Sequence, residues 1–315
     1  MKKAVKPLAV SLFLLVFSSA FVATLSSSLH LAESTVLASS IPGTVVTAKT
    51  PGPEISGVQK QAPPPPKDQR IPPPVLTAVA ALVEDLDTHD ILFSKNPDKR
   101  LPIASTTKIM TALVASKHYS QEDILTVPPA ATVSGSLMGI KVGEQLTFRS
   151  LLYGMLLNSG NDAAFALAGD YPGGVEAFVG AMNEEARKLN LQNTSFDNPA
   201  GFDSPNHYSS ASDLAKITEI ALENIQLSKV FDSKEMVVTS VDKTQVYYLK
   251  NLNILLGQNG VMGVKTGYTP DAKENFVGLV SRSGHRLLTV VLGSEDRFGE
   301  TEKLMDWSYQ NFIWP

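Results

Sequence analysis

The 315-residue chain contains no cysteine. That excludes a disulfide framework and a lipid-modified cysteine, so the folded part must hold together through its core. Histidine is scarce too. The five present, His30, His89, His118, His207 and His285, show no paired spacing such as His-x-x-x-His. A zinc hydrolase is therefore not expected, no metal site is predicted, and no motif calls for a cofactor. Positive charge is also in short supply. Seven of the 27 basic and three of the 31 acidic residues precede Val75, which leaves 20 basic against 28 acidic residues and a net charge of −8 on the remainder. An acidic body argues against nucleic acid as a partner.

What is present divides the chain into three parts. Lys2, Lys3 and Lys6 precede an uncharged run from Pro7 to Leu25, the pattern of an export signal, with Ser18-x-Ala20 as one possible cleavage site. The run also has the length of about 18 residues or more needed to remain as a spanning anchor. Residues 1–28 are thus a signal peptide or an N-terminal membrane anchor. The protein is expected outside the cytoplasm, in the periplasm or on the cell wall side, anchored or secreted. Ten of the 20 prolines fall between Ile41 and Pro74, so residues 29–74 read as a disordered proline-rich linker. Residues 75–315 remain as one globular body with two lobes.

Within that body, Val75 to Glu84 and Ile91 to Ser94 flank a polar turn and predict a hairpin. Asp123 to Phe148 predicts loop and short strands, and Thr147 is placed to cap a helix through Leu151, Leu152, Met155 and Leu156. Val175 to Leu189 is amphipathic. Ser212-Asp213 is read as the cap of the next helix, Val237 to Ser240 and Gln245 to Leu249 as a hairpin, Phe276 to Ser281 and Leu287 to Leu292 as another. Glu300 to Trp314 predicts a last helix with Leu304, Trp307 and Phe312 on one face.

Three short stretches carry candidate chemistry. The first is Pro102 to Ala115, a helix opening at Ser105, with Ile109, Met110, Leu113 and Val114 on its apolar face. Ser105 and Lys108 lie three residues apart, close enough for an amine to reach the hydroxyl. Either Ser105 is a helix N-cap and Lys108 a solvated lysine, or the pair is a nucleophile and its base. A second Ser-x-x-Lys, Ser240 to Lys243, has no amphipathic helix behind it. The second stretch is Asn158-Ser159-Gly160-Asn161-Asp162, pinned between two apolar runs. It is either a turn with Asn161 or Asp162 as cap, or a site in which Ser159 bonds the lysine of the first motif and Asn161 meets a substrate amide. The third, Gly260 to Thr269, fails as a P-loop because Val264 precedes the lysine. As an edge strand it would offer Lys265 to a carboxylate, the hydroxyl of Thr266, and at Gly267 a close approach to the backbone.

Ser105-x-x-Lys108, Ser159-Gly160-Asn161 and Lys265-Thr266-Gly267, in this order, resemble the serine-type D-alanyl-D-alanine carboxypeptidases of peptidase family S11, the low-molecular-mass penicillin-binding proteins. Asn198-Pro199-x-Gly201 and Gly263-x-Lys265-Thr266-Gly267-Tyr268-Thr269 agree. The resemblance implies an α+β, β-lactamase/transpeptidase-like fold: a five-stranded antiparallel sheet flanked by helices, a mostly helical lobe, and an active site in the cleft between. It implies Ser105 as nucleophile on the bond between two terminal D-alanines of a peptidoglycan stem peptide, Lys108 as base, and Ser159 as proton relay. Asn161 would hold the acyl amide, Lys265 and Thr266 the terminal carboxylate, and the N–H groups of Ser105 and Tyr268 the oxyanion. β-Lactams would be covalent inhibitors. Many members carry a further β-rich domain and an anchoring helix after the catalytic domain; here attachment is expected of the N-terminal segment.

Two other readings share these motifs. A class A β-lactamase needs a glutamate in Glu-x-x-Leu-Asn, and before Leu189-Asn190 that position is Ala186. A non-catalytic peptidoglycan-binding protein would have no need of Lys108 beside Ser105.

Overall fold

The computed structural model describes residues 65–315. The signal or anchor segment and the linker as far as residue 64 lie outside the described residues. In chain order the structure runs through β1 (Lys67–Asp68), β2 (Ala80–Asp85), β3 (Ile91–Lys95), a 3-10 turn (Ala104–Thr107) and α1 (Lys108–His118). Then come β4 (Ile124–Thr126), β5 (Gln145–Thr147), α2 (Phe148–Leu156), α3 (Asn161–Asp170), α4 (Gly174–Lys188), α5 (Ala211–Glu223) and α6 (Ile225–Phe231). It closes with β6 (Glu235–Thr239), β7 (Val246–Lys250), β8 (Val261–Thr269), β9 (Lys273–Arg282), β10 (His285–Ser294), α7 (Arg297–Asn311) and β11 (Phe312–Ile313).

Five strands form one antiparallel sheet in the order β3-β2-β10-β9-β8. Both of its faces are covered, and the period of two along each strand divides the apolar side chains between two cores. On β10, Leu288, Val290 and Leu292 join α1 to α5 in the larger core, while Leu287 and Val291 turn the other way to meet Leu304 and Met305 of α7. That double burial is why β9 and β10 read as nearly continuous apolar runs. The expected α+β fold, with its five-stranded sheet and mostly helical lobe, is what these residues build.

Local chemistry explains most boundaries. Thr147 caps α2, its side chain accepting from the Ser150 N–H. The cap of α5 is Ser210 rather than Ser212, because its hydroxyl accepts from the Asp213 N–H while Asp213 lies in the first turn. Helix α6, capped by Asn224, is not legible in the sequence as a separate element. Helix α7 ends at Asn311, so Phe312 is not on its face: it is extended in β11, opposite Asp68. Gln69 N–H donates to Asn311 O (2.8 Å) and Trp307 Nε1 to Ile71 O (3.0 Å), so hydrogen-bonded structure begins upstream of Val75. Among the described residues no helix is long and apolar enough to cross a membrane.

Candidate active site

The apolar spacing of α1 sinks it into the larger core, and every residue from Lys108 to Ala115 is buried. Ser105 does not act as its cap. It lies within the preceding 3-10 turn, and neither that turn nor α1 has a side-chain cap bond. Of the four turn residues, Ser105 alone is partly exposed; Ala104, Thr106 and Thr107 are buried. Ala104 holds a φ of +47°, a conformation unusual for a residue with a side chain.

Lys108 is wholly buried, not solvated. Its Nζ lies 2.9 Å from Ser105 Oγ, 2.8 Å from Asn161 Oδ1 and 2.7 Å from Ala200 O. Burial, reinforced by the charge of Lys265 and opposed by Asp162, holds its pKa well below the ordinary lysine value. A neutral amine has two N–H groups and one lone pair. The Ala200 carbonyl can only accept, and Asn161 Oδ1 is fixed as an acceptor because its own Nδ2 donates to Ser134 O (2.7 Å). In the neutral form those two oxygens take both N–H groups, which leaves the lone pair for the Ser105 hydroxyl.

The stretch between α2 and α3 bends through Ser159, at a φ of +57°. The expected capping there is not made: the N-cap of α3 is Gly160, and it has no side-chain cap bond. Asp162 instead accepts from the N–H groups of Met138 (2.8 Å), Gly139 (2.7 Å) and Ile140 (3.2 Å), holding the glycine-rich loop beside the site. Ser159 reaches a lysine, but it is the lysine of the third motif. Lys265 Nζ donates to Ser159 Oγ (3.1 Å) and to Thr266 O (2.9 Å).

β8 is an edge strand, as its sequence suggests, yet Lys265 is only 2% exposed. Burial, then the nearby Arg297 guanidinium, pulls its pKa down to about 7. Thr266 is buried and Tyr268 is exposed. What Gly267 admits is the nucleophile turn itself: a Cβ there would stand 3.1 Å from Ser105 N and 3.2 Å from Ala104 Cβ. The structure thus gathers the candidate residues into two hydrogen-bonded groups, Ser105–Lys108–Asn161 and Ser159–Lys265, related through the effect of the Lys265 charge on Lys108, with Thr266 and Gly267 on the strand that carries Lys265.

Sequence reasoning passes over three contributors. Asn198 Oδ1 accepts from the N–H groups of Ala200, Gly201 and Phe202, shaping the turn that aims Ala200 O at Lys108. Gly201, at φ +94°, packs on the Ala104 carbonyl so closely that any side chain would collide with it. The signal is Asn198-Pro199-x-Gly201, legible as a turn but not as a wall of the site. His207 is the third. It is buried, its pKa is lowered to about 4 by burial against the opposing pull of Asp197 and Asp203, and its Nε2 lies 2.7 Å from Thr107 Oγ1. Among the described residues the group with metal-ligand spacing is Glu84, His89 and Glu219, none of them in either hydrogen-bonded group.

Residues 67–296 match the family Peptidase_S11, described as D-alanyl-D-alanine carboxypeptidase. The chain is 35% identical over 246 residues to D-alanyl-D-alanine carboxypeptidase DacF of Bacillus subtilis, covering 75% of this chain and 63% of that protein. With DacC of Escherichia coli it shares 32% over 264 residues, 78% of this chain and 64% of the relative. It therefore spans slightly less than two thirds of those relatives. The crystal structure of the Streptomyces K15 DD-transpeptidase superposes with a TM-score of 0.72 at 33% identity, covering 76% of this chain and all of that one. With a family match over most of its length and that degree of likeness, the chain belongs to peptidase family S11, the D-alanyl-D-alanine carboxypeptidases.

Proposed function

We propose that this protein is a serine D-alanyl-D-alanine carboxypeptidase that removes the terminal D-alanine from peptidoglycan stem peptides through an acyl-enzyme on Ser105. The observation that carries the reading is the buried Lys108 amine, 2.9 Å from Ser105 Oγ, with a depressed pKa and two further oxygens that can take both N–H groups of its neutral form. A lysine in that state takes the serine proton as the oxygen attacks the penultimate D-alanyl carbonyl. The N–H groups of Ser105 and Tyr268 receive the developing oxyanion. Ser159 passes a proton to the departing D-alanine amine, and water then releases the acyl group. Lys265, with one N–H beyond its two protein bonds, and Thr266 bind the substrate carboxylate, whose charge favours the protonated lysine. Asn161 meets the acyl amide from the side of its already bonded carboxamide. The carboxamide bonds to Lys108 and Ser134 O give it a second task, fixing the lysine.

The names of the relatives support the substrate. Ala186, buried on α4 where a class A β-lactamase would need its glutamate, disfavours that rival. The Streptomyces K15 protein is named a transpeptidase, which supports a second fate for the acyl group: transfer to an amine in place of water. The basic and then apolar start of the chain supports a site of action outside the cytoplasm, with attachment to the membrane through that segment.

Intact mass after incubation with penicillin tests the core of the reading. Wild type should gain one penicilloyl group and Ser105→Ala none; a folded wild type with no adduct overturns the acyl-transferase assignment. Free D-alanine released from a pentapeptide, with and without an added amino acid acceptor, separates hydrolysis from transfer.

A further inference from the structure

His207 belongs to none of the three motifs and hydrogen-bonds to none of the groups assigned to the reaction, yet it is buried with both ring nitrogens engaged. Its Nδ1 accepts from the Asp197 N–H (3.0 Å). A backbone N–H can only donate, so Nδ1 is the bare nitrogen and Nε2 carries the hydrogen. Nε2–H must then donate to Thr107 Oγ1 (2.7 Å), and the Thr107 hydroxyl, its acceptor side used, donates to Ala104 O (2.8 Å). Each end of this chain has a fixed sense, so one proton arrangement satisfies all of it.

Ala104 O and Ser105 N–H belong to the same peptide unit. That unit is planar, and in the trans form its carbonyl and N–H point in opposite directions. Whatever fixes Ala104 O on the buried side therefore aims Ser105 N–H toward the opposite side, where the β8 edge lies at Gly267. A hydrogen bond accepted by the carbonyl also polarises the amide and strengthens its N–H as a donor. The need for such a hold is visible in the backbone, since Ala104 is kept at a positive φ.

We propose that His207 is a positioning residue for acyl transfer: acting through Thr107 and the Ala104 carbonyl, it sets the direction and donor strength of the Ser105 N–H that receives the oxyanion. The inference rests on the proposed acyl-enzyme chemistry. Because the N–H matters most when charge develops on the substrate oxygen, loss of the relay lowers the rate of acylation rather than initial binding.

The test is stopped-flow acylation of the full chain by a chromogenic or fluorescent penicillin, separating the acylation rate constant from the initial dissociation constant. The variants are Thr107→Val, His207→Ala, His207→Gln and the double variant Thr107→Val/His207→Ala. Removing an oxyanion donor outright costs about a hundred-fold or more, so weakening one should cost roughly ten- to a hundred-fold. That loss is expected in Thr107→Val and His207→Ala with the dissociation constant within about three-fold of wild type. The double variant should be no slower than the worse single one, because both cut the same relay. His207→Gln, whose amide can donate near the Nε2 position, should recover part of the rate. Folded Thr107→Val that acylates at the wild-type rate, or losses that multiply in the double variant, overturn the proposal. Thr107→Val is nearly isosteric and decides the matter even if His207→Ala does not fold. Absence of acylation in the wild type would instead overturn the underlying function.

Discussion

The start of α1 and the edge strand β8 each bury a lysine, Lys108 and Lys265, and each depresses its pKa by burial first and a neighbouring cation second. The outcomes differ because of the acceptors around each amine. Lys108 meets three oxygens, two of which can only accept, so its neutral form is completely satisfied and its lone pair has a single direction. Lys265 meets two, and its pKa of about 7 leaves it able to carry charge when an anion arrives. Burial depresses the pKa of both lysines. The geometry of their partners distinguishes the two, and fits the base and carboxylate-receptor roles proposed for them.

The largest effect should come from breaking the Lys108 environment. Lys108→Arg keeps a long cation but cannot lose its proton, so penicillin acylation should fall by about a thousand-fold, read by the rate of adduct formation in intact mass. Lys265→Gln removes the charge and shortens the side chain, and with them the Nζ bonds to Ser159 and Thr266. It should raise KM for a stem peptide by roughly ten- to a hundred-fold and lower kcat less, as checked by D-alanine release.

The turn that packs on the peptide before Ser105 gives the next effect. Gly201→Ala forces a side chain against the Ala104 carbonyl at a positive φ and should cost roughly 2 to 3 kcal/mol, measured by denaturant unfolding. Smaller is the pH dependence of stability. A lysine at about 7 when folded and near 10.5 when unfolded binds fewer protons in the native state across that window, so its contribution to stability increases as pH rises from about 7 toward 10.5. Below about 7 the folded protein carries the cost of a buried charge. Melting temperatures should rise over the window in wild type, and rise less in Lys265→Met. Smallest is Lys117→Ala, which removes a 2.6 Å ion pair to Glu185 at the far end of α1. With a half-exposed lysine it should change stability by about 1 kcal/mol or less and leave acylation unchanged.

Much of this is legible in the chain. Period-two alternation marks the β6–β7 hairpin, and Phe178, Met182 and Ala186 at helical spacing mark the buried stripe of α4. Ser105, Lys108, Ser159, Asn161 and Lys265 all stand in short motifs, and they pair as Ser105–Lys108–Asn161 and Ser159–Lys265. Where the sequence misleads, the cause is shared. It offers Ser105 as a possible cap and Ser159 as the partner of Lys108, whereas the contacts that decide these roles come from far along the chain. Ser159 bonds a residue 106 positions away, and the carbonyl that satisfies Lys108 is 92 positions away.

The sequence by itself determined most of the helices and strands, α6 and β11 excepted, because periodicity and capping act over a few residues. It also determined which side chains could do acyl-transfer chemistry. Only the tertiary structure decided their protonation and direction. The depressed pKa of Lys108, the single proton arrangement from His207 to Ala104, and the aim of Ser105 N–H depend on burial and on partners about fifty to a hundred residues apart. Electrostatic and hydrogen-bond energies are set by distance in space, and no local pattern encodes it.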